Sequence, residues 1–268
     1  MNTEGDGLRV QDLIDKKYPF IYEDEQATKA RAVLRERDLR TLPVTDENKH
    51  VVGVITRNDM LTITSSISPI RVKGIMSAPR LIVTPDMDAH LTVRKMLRLD
   101  EWFVPVVRSS QDKTYAGMLG LENFITVYIA KEASRLATPL SKIMSTELFV
   151  CSVDDEVDNV WRTMQEKSLS GCPVVTKGRP VGMLTQTNLL ESSMVFPTFE
   201  AKKGRFKAPS KISSIMKTPV ISLKPTNTIK EAAQLMLKRS IGRMPIVDNK
   251  GKLVGIVDRE DIVRALVR

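Results

Sequence analysis

Two short apolar runs joined by a turn recur four times along the chain, always in the same order. The first run carries a proline between apolar residues, at Pro43, Pro105, Pro173 and Pro245. The second begins at a glycine and leads, six residues later, to an acid or its amide, over residues 53–59, 117–123, 182–188 and 255–261. From proline to glycine the steps are 10, 12, 9 and 10, so the length differences fall in the turn. A fixed period with variable turns indicates duplicated units that pack on one another.

Each unit is predicted to contain the same elements in the same order. A lead-in ends in an apolar pair, which is Leu13-Ile14, Ile75-Met76, Ile143-Met144 or Ile215-Met216. A short β-rich run follows, at residues 20–22, 81–83, 149–151 and 220–222. An amphipathic helix comes next; in the fourth copy Ile229, Ala232 and Met236 recur at helical spacing. The two apolar runs then form strands, and a closing helix ends the unit.

The first of these two strands is predicted to start at its proline, where a missing N–H is tolerated. In the fourth copy the turn Asp248-Asn249-Lys250-Gly251 is a hairpin signal. Thr56 or Asp258 is a candidate N-cap of the closing helix. The unit is therefore β-α-β-β-α, of about sixty residues. Because one unit leaves an apolar sheet face uncovered, neighbouring units should pair, and the predicted fold class is α/β (α+β).

The formal charge of the 268-residue chain is +9, which raises the question of nucleic-acid binding. Five of these charges stand in one acid-free segment, at Lys202, Lys203, Arg205, Lys207 and Lys211. Without them the net charge is +4, so the excess is local. Phe206 lies among them and could stack on a single-stranded base. Nucleic-acid binding through this segment therefore stays an alternative, although five charges give only modest, salt-labile affinity.

Compartment and chemistry are constrained by what the sequence lacks. No apolar run approaches membrane-spanning length, and the first residues do not follow the order of a signal peptide. We expect a cytoplasmic protein without a membrane partner. Cys151 and Cys172 fall in apolar runs and are predicted to be buried small hydrophobes rather than a disulfide or metal site.

The sequence does not favour an enzyme. His50 and His90 stand without a paired nucleophile, and there is no glycine-rich phosphate loop, metal-spaced cluster or catalytic carboxylate pair. We therefore expect no catalytic residue, no metal and no cofactor.

The repeated segments resemble the cystathionine β-synthase (CBS) domain family. The resemblance rests on the proline strand, the glycine-led Thr-x-x-Asp segment and the Ile-Met lead-in, four times in register over almost the whole chain. It implies four β-α-β-β-α repeats paired into two Bateman modules that form a disk, similar in layout to the γ subunit of AMP-activated kinase. The corresponding boundaries are 8–66, 67–134, 135–197 and 212–268, with a basic linker at 198–211 and modules at 1–134 and 135–268.

The same resemblance implies a regulatory protein that binds AMP, ADP, ATP or S-adenosylmethionine between paired repeats. Its effector would be a separate polypeptide, and a homodimer is possible. A scaffold with vestigial sites is the remaining alternative.

In the family, the last Asp of Thr-x-x-Asp accepts hydrogen bonds from both ribose hydroxyls, which suits an acceptor-only carboxylate. Asp59 (site one) and Asp261 (site four) match this position, whereas Asn123 (site two) and Asn188 (site three) replace the acid. Sites one and four are thus expected to be occupied, site three less so, and site two is doubtful because Gly120 also lacks the hydroxyl. The alternative is that both acids only favour a helix N-terminus.

The resemblance also assigns the rest of each site. Arg40 and Arg243 are predicted to face phosphate, for which guanidinium groups are suited, with a surface ion pair as the alternative for Arg40. The base is expected to contact Val54, Ile70, Ile75 and Trp102 in site one, and Thr138, Ile143, Ser170 and Ile256 in site four. Thr56 supplies the hydroxyl of site one, and Thr185 with Asn188 and Ile215 forms the weaker site three. Asp258 replaces the threonine in site four, so this site is expected to prefer a less anionic compound such as S-adenosylmethionine.

Overall fold

The computed structural model describes residues 7–61, 69–131, 133–192 and 210–267. The basic segment falls outside these ranges except for its last two residues, so its predicted role as a linker or nucleic-acid contact stays a prediction. Among the helices in the described ranges, none has the length and apolar character to span a bilayer.

Four similar units follow one another along the chain. The first contains β1 (Ile21–Tyr22), α1 (Ala27–Glu36), β2 (Thr41–Thr45), β3 (Val51–Thr56) and α2 (Arg57–Leu61). The second contains α3 (Ala89–Arg98), β4 (Phe103–Val107), β5 (Tyr115–Gly120) and α4 (Leu121–Ala130). The third contains β6 (Cys151–Ser152), α5 (Val157–Glu166), β7 (Gly171–Thr176), β8 (Arg179–Thr185) and α6 (Gln186–Ser192). The fourth contains α7 (Ile229–Lys238), β9 (Arg243–Val247), β10 (Leu253–Asp258) and α8 (Arg259–Leu266).

Each lead-in forms a single 3-10 turn, at Val10–Asp12, Val72–Gly74, Leu140–Lys142 and Ile212–Ser214. The two strands after the first helix pair antiparallel in every unit. In the fourth unit Gly251 has φ 77° and its N–H donates to the carbonyl of Asp248, which confirms the predicted hairpin turn.

The proline does not start its strand as predicted but stands third in it, as at Pro43 in β2. Pro43 lies opposite Val54, and both backbone groups of Val54 bond Ser77 instead. The proline nitrogen therefore faces away from β3, towards the β1 side of β2. The pairing of β1 with β2 starts only at the next residue, Val44. No N–H is needed there, so the position tolerates proline.

The short strand before each first helix is reduced in the second and fourth units to one parallel bridge, Val83 with Val106 and Leu223 with Ile246. In the fourth unit this lies one residue beyond the predicted run 220–222. The bridge consists of two hydrogen bonds; in the second unit Val83 donates to the carbonyl of Pro105 at 3.2 Å and accepts from Val107 at 2.9 Å. In the first unit Glu23 provides a third bond, to the carbonyl of Thr45 at 2.9 Å, but Pro85 and Pro225 stand at this position in the second and fourth units and have no N–H, so the pairing stays short.

Units pair through their lead-ins. The backbone of Val54 in β3 exchanges hydrogen bonds of 2.9 and 3.0 Å with Ser77, the residue after the lead-in of the second unit. Equivalent exchanges join Asp15 to Met118, Lys217 to Met183 and Ser145 to Ile256. The first unit thus pairs with the second and the third with the fourth, in the predicted arrangement.

The hydrophobic core does not follow this pairing. One buried cluster combines the second and fourth units with the lead-ins of the first and third, and has Phe124 and Ile262 among its members. The other combines the first and third units with the lead-ins of the second and fourth, and has Leu34 and Leu190 among its members. Helix α4 packs on α7 and α8, and α6 packs on α1 and α2. The two pairs are therefore joined through their helices by continuous apolar packing. Cys151 and Cys172 are buried in the second of these clusters with reduced thiols, 3.6 Å apart at sulfur, as small hydrophobes.

Candidate functional site

The acid of site one is held at the first turn of the closing helix. The backbone N–H of Thr56 donates to Oδ2 of Asp59 at 2.7 Å, and the Thr56 hydroxyl donates to the same oxygen at 2.8 Å. In site four the N–H of Asp258 donates to Oδ2 of Asp261 at 2.9 Å. Both acids therefore contribute to the cap of their helix, as the alternative interpretation expected.

The amides make the same contact. The N–H of Gly120 donates to Oδ1 of Asn123 at 2.8 Å, and the N–H of Thr185 donates to Oδ1 of Asn188 at 3.0 Å. One side-chain oxygen is enough for the cap, and an amide provides it as well as a carboxylate. Capping therefore explains why an Asp or Asn stands at this position in all four units, but not why only two units have the acid. The two side chains differ in the terminal atom that does not cap the helix: it is an accepting oxygen in Asp and a donating NH2 group in Asn.

Site four contains a second carboxylate. Asp258 is the N-cap of α8, and its Oδ1 accepts from the N–H groups of Glu260 at 2.9 Å and Asp261 at 3.1 Å. Burial, and then the neighbouring charge of Asp258, raise the pKa of Asp261 to about 7. Site one has a hydroxyl in place of this second charge, so the two sites differ in charge at the same position.

The residues three positions before the four prolines meet at the centre of the molecule. The guanidinium of Arg40 lies 3.7 Å from the ring centroid of Trp102 and donates to the hydroxyl of Ser170 at 2.9 Å. A Cβ on Gly242 would lie 3.5 Å from Trp102 and 3.8 Å from Arg40. One equivalent residue from each unit therefore contributes to this central cluster.

Arg243 joins the central cluster from the fourth unit. It donates to the carbonyl of Gly171 at 2.7 Å and, by a short hydrogen bond, to the hydroxyl of Ser170, and it lies 3.9 Å from the carboxylate of Asp258. Burial, followed by the charge of Arg243, lowers the pKa of Arg40 to about 9. Two cations are thus held close together, which makes the centre attractive to anions.

A backbone hydrogen bond ties each central residue to the closing helix of its own unit. The N–H of Arg57, the first residue of α2, donates to the carbonyl of Arg40 at 3.0 Å, and the N–H of Arg259, the first residue of α8, donates to the carbonyl of Gly242 at 3.1 Å. Asp59 and Asp261 stand two residues further along these helices. In both units this hydrogen bond fixes the position of the helix end that carries the acid relative to the residue at the centre.

The residues predicted for the base lie at the junction of the paired units. Ile75 and Ile143 are half-buried and end the 3-10 turns of the lead-ins. Val54 and Ile256 are the strand residues that bond the partner lead-in. The carbonyl of Thr138 accepts from Ile229 at 2.9 Å, at the start of α7.

The remaining residues predicted for the base lie either at the lead-ins or at the centre. The carbonyl of Ile70 accepts from the N–H of Ala27 at 2.9 Å, at the start of α1, just as that of Thr138 accepts at the start of α7. Ile215 is placed like Ile75 in the lead-in of the fourth unit. Ser170 and Trp102, which are predicted to contact the base, both lie against Arg40 at the centre.

Two arginines that were not predicted from the sequence lie beside the centre. Arg57 forms an ion pair of 2.6 Å with Asp38, and Arg259 pairs with Glu122 of the second unit. Within the described residues the buried Nε atoms of both have no hydrogen-bond partner. A sequence signal existed: both follow the Thr-x-x-Asp hydroxyl position directly, in the two units that carry the acid, whereas the other units have leucine and glutamine there.

A chain of four such units, with paired sheets and helix-capping acids or amides at the junctions, belongs to the class of tandem-repeat proteins built from paired β-α-β-β-α units. The sequence profile of the CBS domain matches residues 10–65, 140–194 and 212–268. The chain belongs to the CBS domain family, and its paired units are Bateman modules. The second unit, which lies between the first two of these matches, has the same order of main elements. The predicted repeat boundaries stay a prediction.

The chain is similar over nearly its whole length to the uncharacterized protein MJ1225 of Methanocaldococcus jannaschii, with 26% identity over 93% of this chain and 95% of the relative. The crystal structure of MJ1225, described as a candidate archaeal homologue of γ-AMPK, aligns with a TM-score of 0.83 at 21% identity, over 97% of this chain and all of that one. A CBS domain pair of protein MJ0100, crystallised with 5′-methylthioadenosine and S-adenosyl-L-methionine, is 23% identical over 48% of this chain and 96% of its own, with a TM-score of 0.41. The likeness to MJ1225 shows the fold.

Proposed function

We propose that this protein binds adenosine derivatives at sites one and four and passes their occupancy to a separate effector protein. The observation that carries the proposal is a coincidence of charge: the two units that keep the acid also keep an arginine at the centre, and these arginines lie together. The other two units have neither. A nucleotide needs this combination, because its sugar diol requires an acceptor and its phosphate a cation.

Within each site the three parts of the ligand would meet different elements. The acid at the start of the closing helix accepts from the sugar diol. The half-buried residues of the strand and the partner lead-in, Val54 with Ile75 or Ile256 with Ile143, provide apolar walls for the base. Arg40 or Arg243 faces the phosphate or its equivalent at the centre.

We propose further that the two sites prefer ligands of different charge. Site one pairs Asp59 with a neutral hydroxyl, so Arg40 favours AMP, ADP or ATP. Site four has two carboxylates, and the charge of Arg243 is partly offset by Asp258 at 3.9 Å. This balance favours a less anionic compound, and S-adenosylmethionine, with its sulfonium charge, is the candidate.

The amide-bearing sites are expected to bind weakly or not at all. In site three Asn188 is 7% exposed and its oxygen accepts from both the N–H and the hydroxyl of Thr185. In site two a Cβ on Gly120 would lie only 2.6 Å from the ring of Phe103, so this ring is packed against the place where the hydroxyl stands in sites one and three.

Isothermal titration of the full chain with AMP, ADP, ATP and S-adenosylmethionine tests the proposal. Asp59→Asn and Asp261→Asn are the matched variants, because units two and three show that an amide preserves the cap. Asp59→Asn should weaken nucleotide binding about tenfold or more, and Asp261→Asn should do the same for S-adenosylmethionine. Equal losses of both ligands in either variant would contradict the assignment, and no binding in the wild type would contradict the function.

The effector and the assembly state are open to two direct measurements. Mass spectrometry of small molecules that co-purify with the protein should find an adenosine compound. Light scattering with and without that compound would show whether one chain acts alone or two associate in the predicted homodimer.

A further inference from the structure

We propose that sites one and four are energetically coupled through the hydroxyl of Ser170. The proposal rests on the function proposed above. Arg40 comes from the first module and Arg243 from the second, and both donate to this one oxygen, Arg40 at 2.9 Å. The phosphate-facing groups of two different sites therefore share a single hydrogen-bond acceptor.

The shared acceptor does not neutralise the two cations. A hydroxyl oxygen has two lone pairs, so it can accept from both guanidinium groups, but it is neutral. Arg57 and Arg259 add further positive charge from the starts of α2 and α8, although Asp38 and Glu122 pair with them. Asp258 lies 3.9 Å from Arg243 and offsets part of its charge. Each guanidinium thus lies in the field of the other.

The backbone adds a mechanical link to the electrostatic one. The carbonyl of Arg40 accepts from Arg57 at the start of the helix that carries Asp59. The carbonyl of Ser170 accepts from Gln186, and that of Gly242 from Arg259, at the starts of the equivalent helices. A ligand that moves the acid-bearing helix end also moves the residue that contacts Ser170, and the change reaches the other module through this oxygen.

The sign of the coupling follows from the ligand charges. An anion bound beside Arg40 offsets its positive charge and so lowers the potential at Arg243. A cationic ligand in site four is then repelled less, whereas a second anion is attracted less. A nucleotide in site one should therefore strengthen S-adenosylmethionine binding in site four and weaken the binding of a second nucleotide there.

Double titration of the full chain measures this coupling. The affinity for S-adenosylmethionine is determined by calorimetry without AMP and at saturating AMP, and the affinity for AMP likewise without and with S-adenosylmethionine. We expect each ligand to bind on the order of fivefold tighter in the presence of the other, by the same factor in both directions because coupling is reciprocal. Asp59→Asn and Asp261→Asn assign each signal to its site.

Two substitutions at Ser170 test the route. Ser170→Ala removes the shared acceptor that holds the two guanidinium groups together, so their mutual repulsion moves them apart, and the coupling factor should fall to within about twofold of one. The coupling factor is the ratio of one ligand's affinities with and without the other ligand, both measured on the same variant. A substitution that changes both affinities equally therefore leaves the factor unchanged. Ser170→Asp places a permanent anion between the arginines and should strengthen S-adenosylmethionine and weaken AMP when each is added alone. Ser110→Ala, at an exposed serine of the β4–β5 turn, is the control and should keep the wild-type factor.

The outcomes separate the two proposals. If neither ligand binds, both the function and the coupling are wrong. If both ligands bind independently, or exclude one another, the coupling alone is overturned. An unchanged factor in a folded Ser170→Ala variant, verified by its melting temperature, or a wild-type response to single ligands in Ser170→Asp, would also overturn it.

Discussion

The sulfur of Met76 lies 2.6 Å from the place that a Cβ on Gly53 would occupy. The two residues belong to paired units, Gly53 to a strand and Met76 to the partner lead-in. The same relation joins Gly182 to Met216 at 2.9 Å and Gly255 to Met144 at 2.8 Å. The glycine and the Ile-Met pair, which recur together in the sequence, are therefore two sides of one contact, in which the methionine fills the space that a side chain would take.

Gly53→Ala should lower the free energy of unfolding by about 1–3 kcal/mol, because the added methyl group overlaps with Met76. Urea denaturation followed by circular dichroism measures this change. Gly74→Ala is the control, since its Cβ would only reach Ile70, at 3.6 Å, an ordinary contact. A similar loss in both variants would show that packing at Gly53 is not the cause.

Ligand binding at site four should depend on pH near neutrality. The pKa of Asp261 is raised to about 7, and only the deprotonated carboxylate can accept from both hydroxyls of a sugar. Binding should therefore be strong above pH 7 and fall as the pH drops through 7 towards 6. Calorimetry between pH 6 and 8.5 measures the profile. Asp258→Thr removes the neighbouring charge and should move the midpoint to lower pH; an unmoved midpoint would contradict the role of Asp258.

The contribution of Asp261 to the free energy of unfolding should have the opposite pH dependence. In the unfolded chain an aspartic acid titrates near pH 3.9, below the pKa of Asp261 in the folded protein. Between these values the folded state binds more protons, so the contribution of this residue to stability falls as the pH rises from about 4 to about 7. Melting temperatures of the wild type and Asp261→Asn should converge at low pH and diverge in favour of the variant above pH 7.

Glu122→Gln should destabilise the protein by about 2 kcal/mol, because Arg259 is buried and would lose its ion-pair partner from the other module. Glu25→Gln is the control: its partner Lys29 is 58% exposed, and such surface pairs contribute about 0–1 kcal/mol. Urea denaturation of the three proteins measures the difference. Equal stability of the two variants would show that the Arg259 contact does not hold the modules together.

The two thiols should resist modification in the folded protein. Cys151 and Cys172 are 3% and 1% exposed, and the hydrogen bond between the two thiols together with burial raises the pKa of Cys172. An aromatic disulfide reagent should therefore react with both thiols rapidly in urea and many times more slowly without it. Rapid reaction of the native protein would contradict the burial of this part of the third unit.

The repeat, the order of the elements and the pairing of neighbouring units were determined by the sequence, because each depends on local periodicity and on the need to cover an apolar sheet face. The difference between Asp59 and Asn188 was also visible there, since it is a difference of residue type at one spacing. The short strand in the second and fourth units was overpredicted, because Pro85 and Pro225, which have no N–H, stand where Glu23 donates to Thr45 in the first unit.

Only the tertiary structure decided what meets at the centre. Arg40 and Ser170 are separated by 130 residues, and no local pattern indicates that they form a hydrogen bond. The division of the core between alternate units is likewise a matter of how α4 packs on α8 and α2 on α6. Periodicity says which face of a helix is apolar but not which other face covers it, because many apolar faces fit one another about equally well until the whole chain is packed.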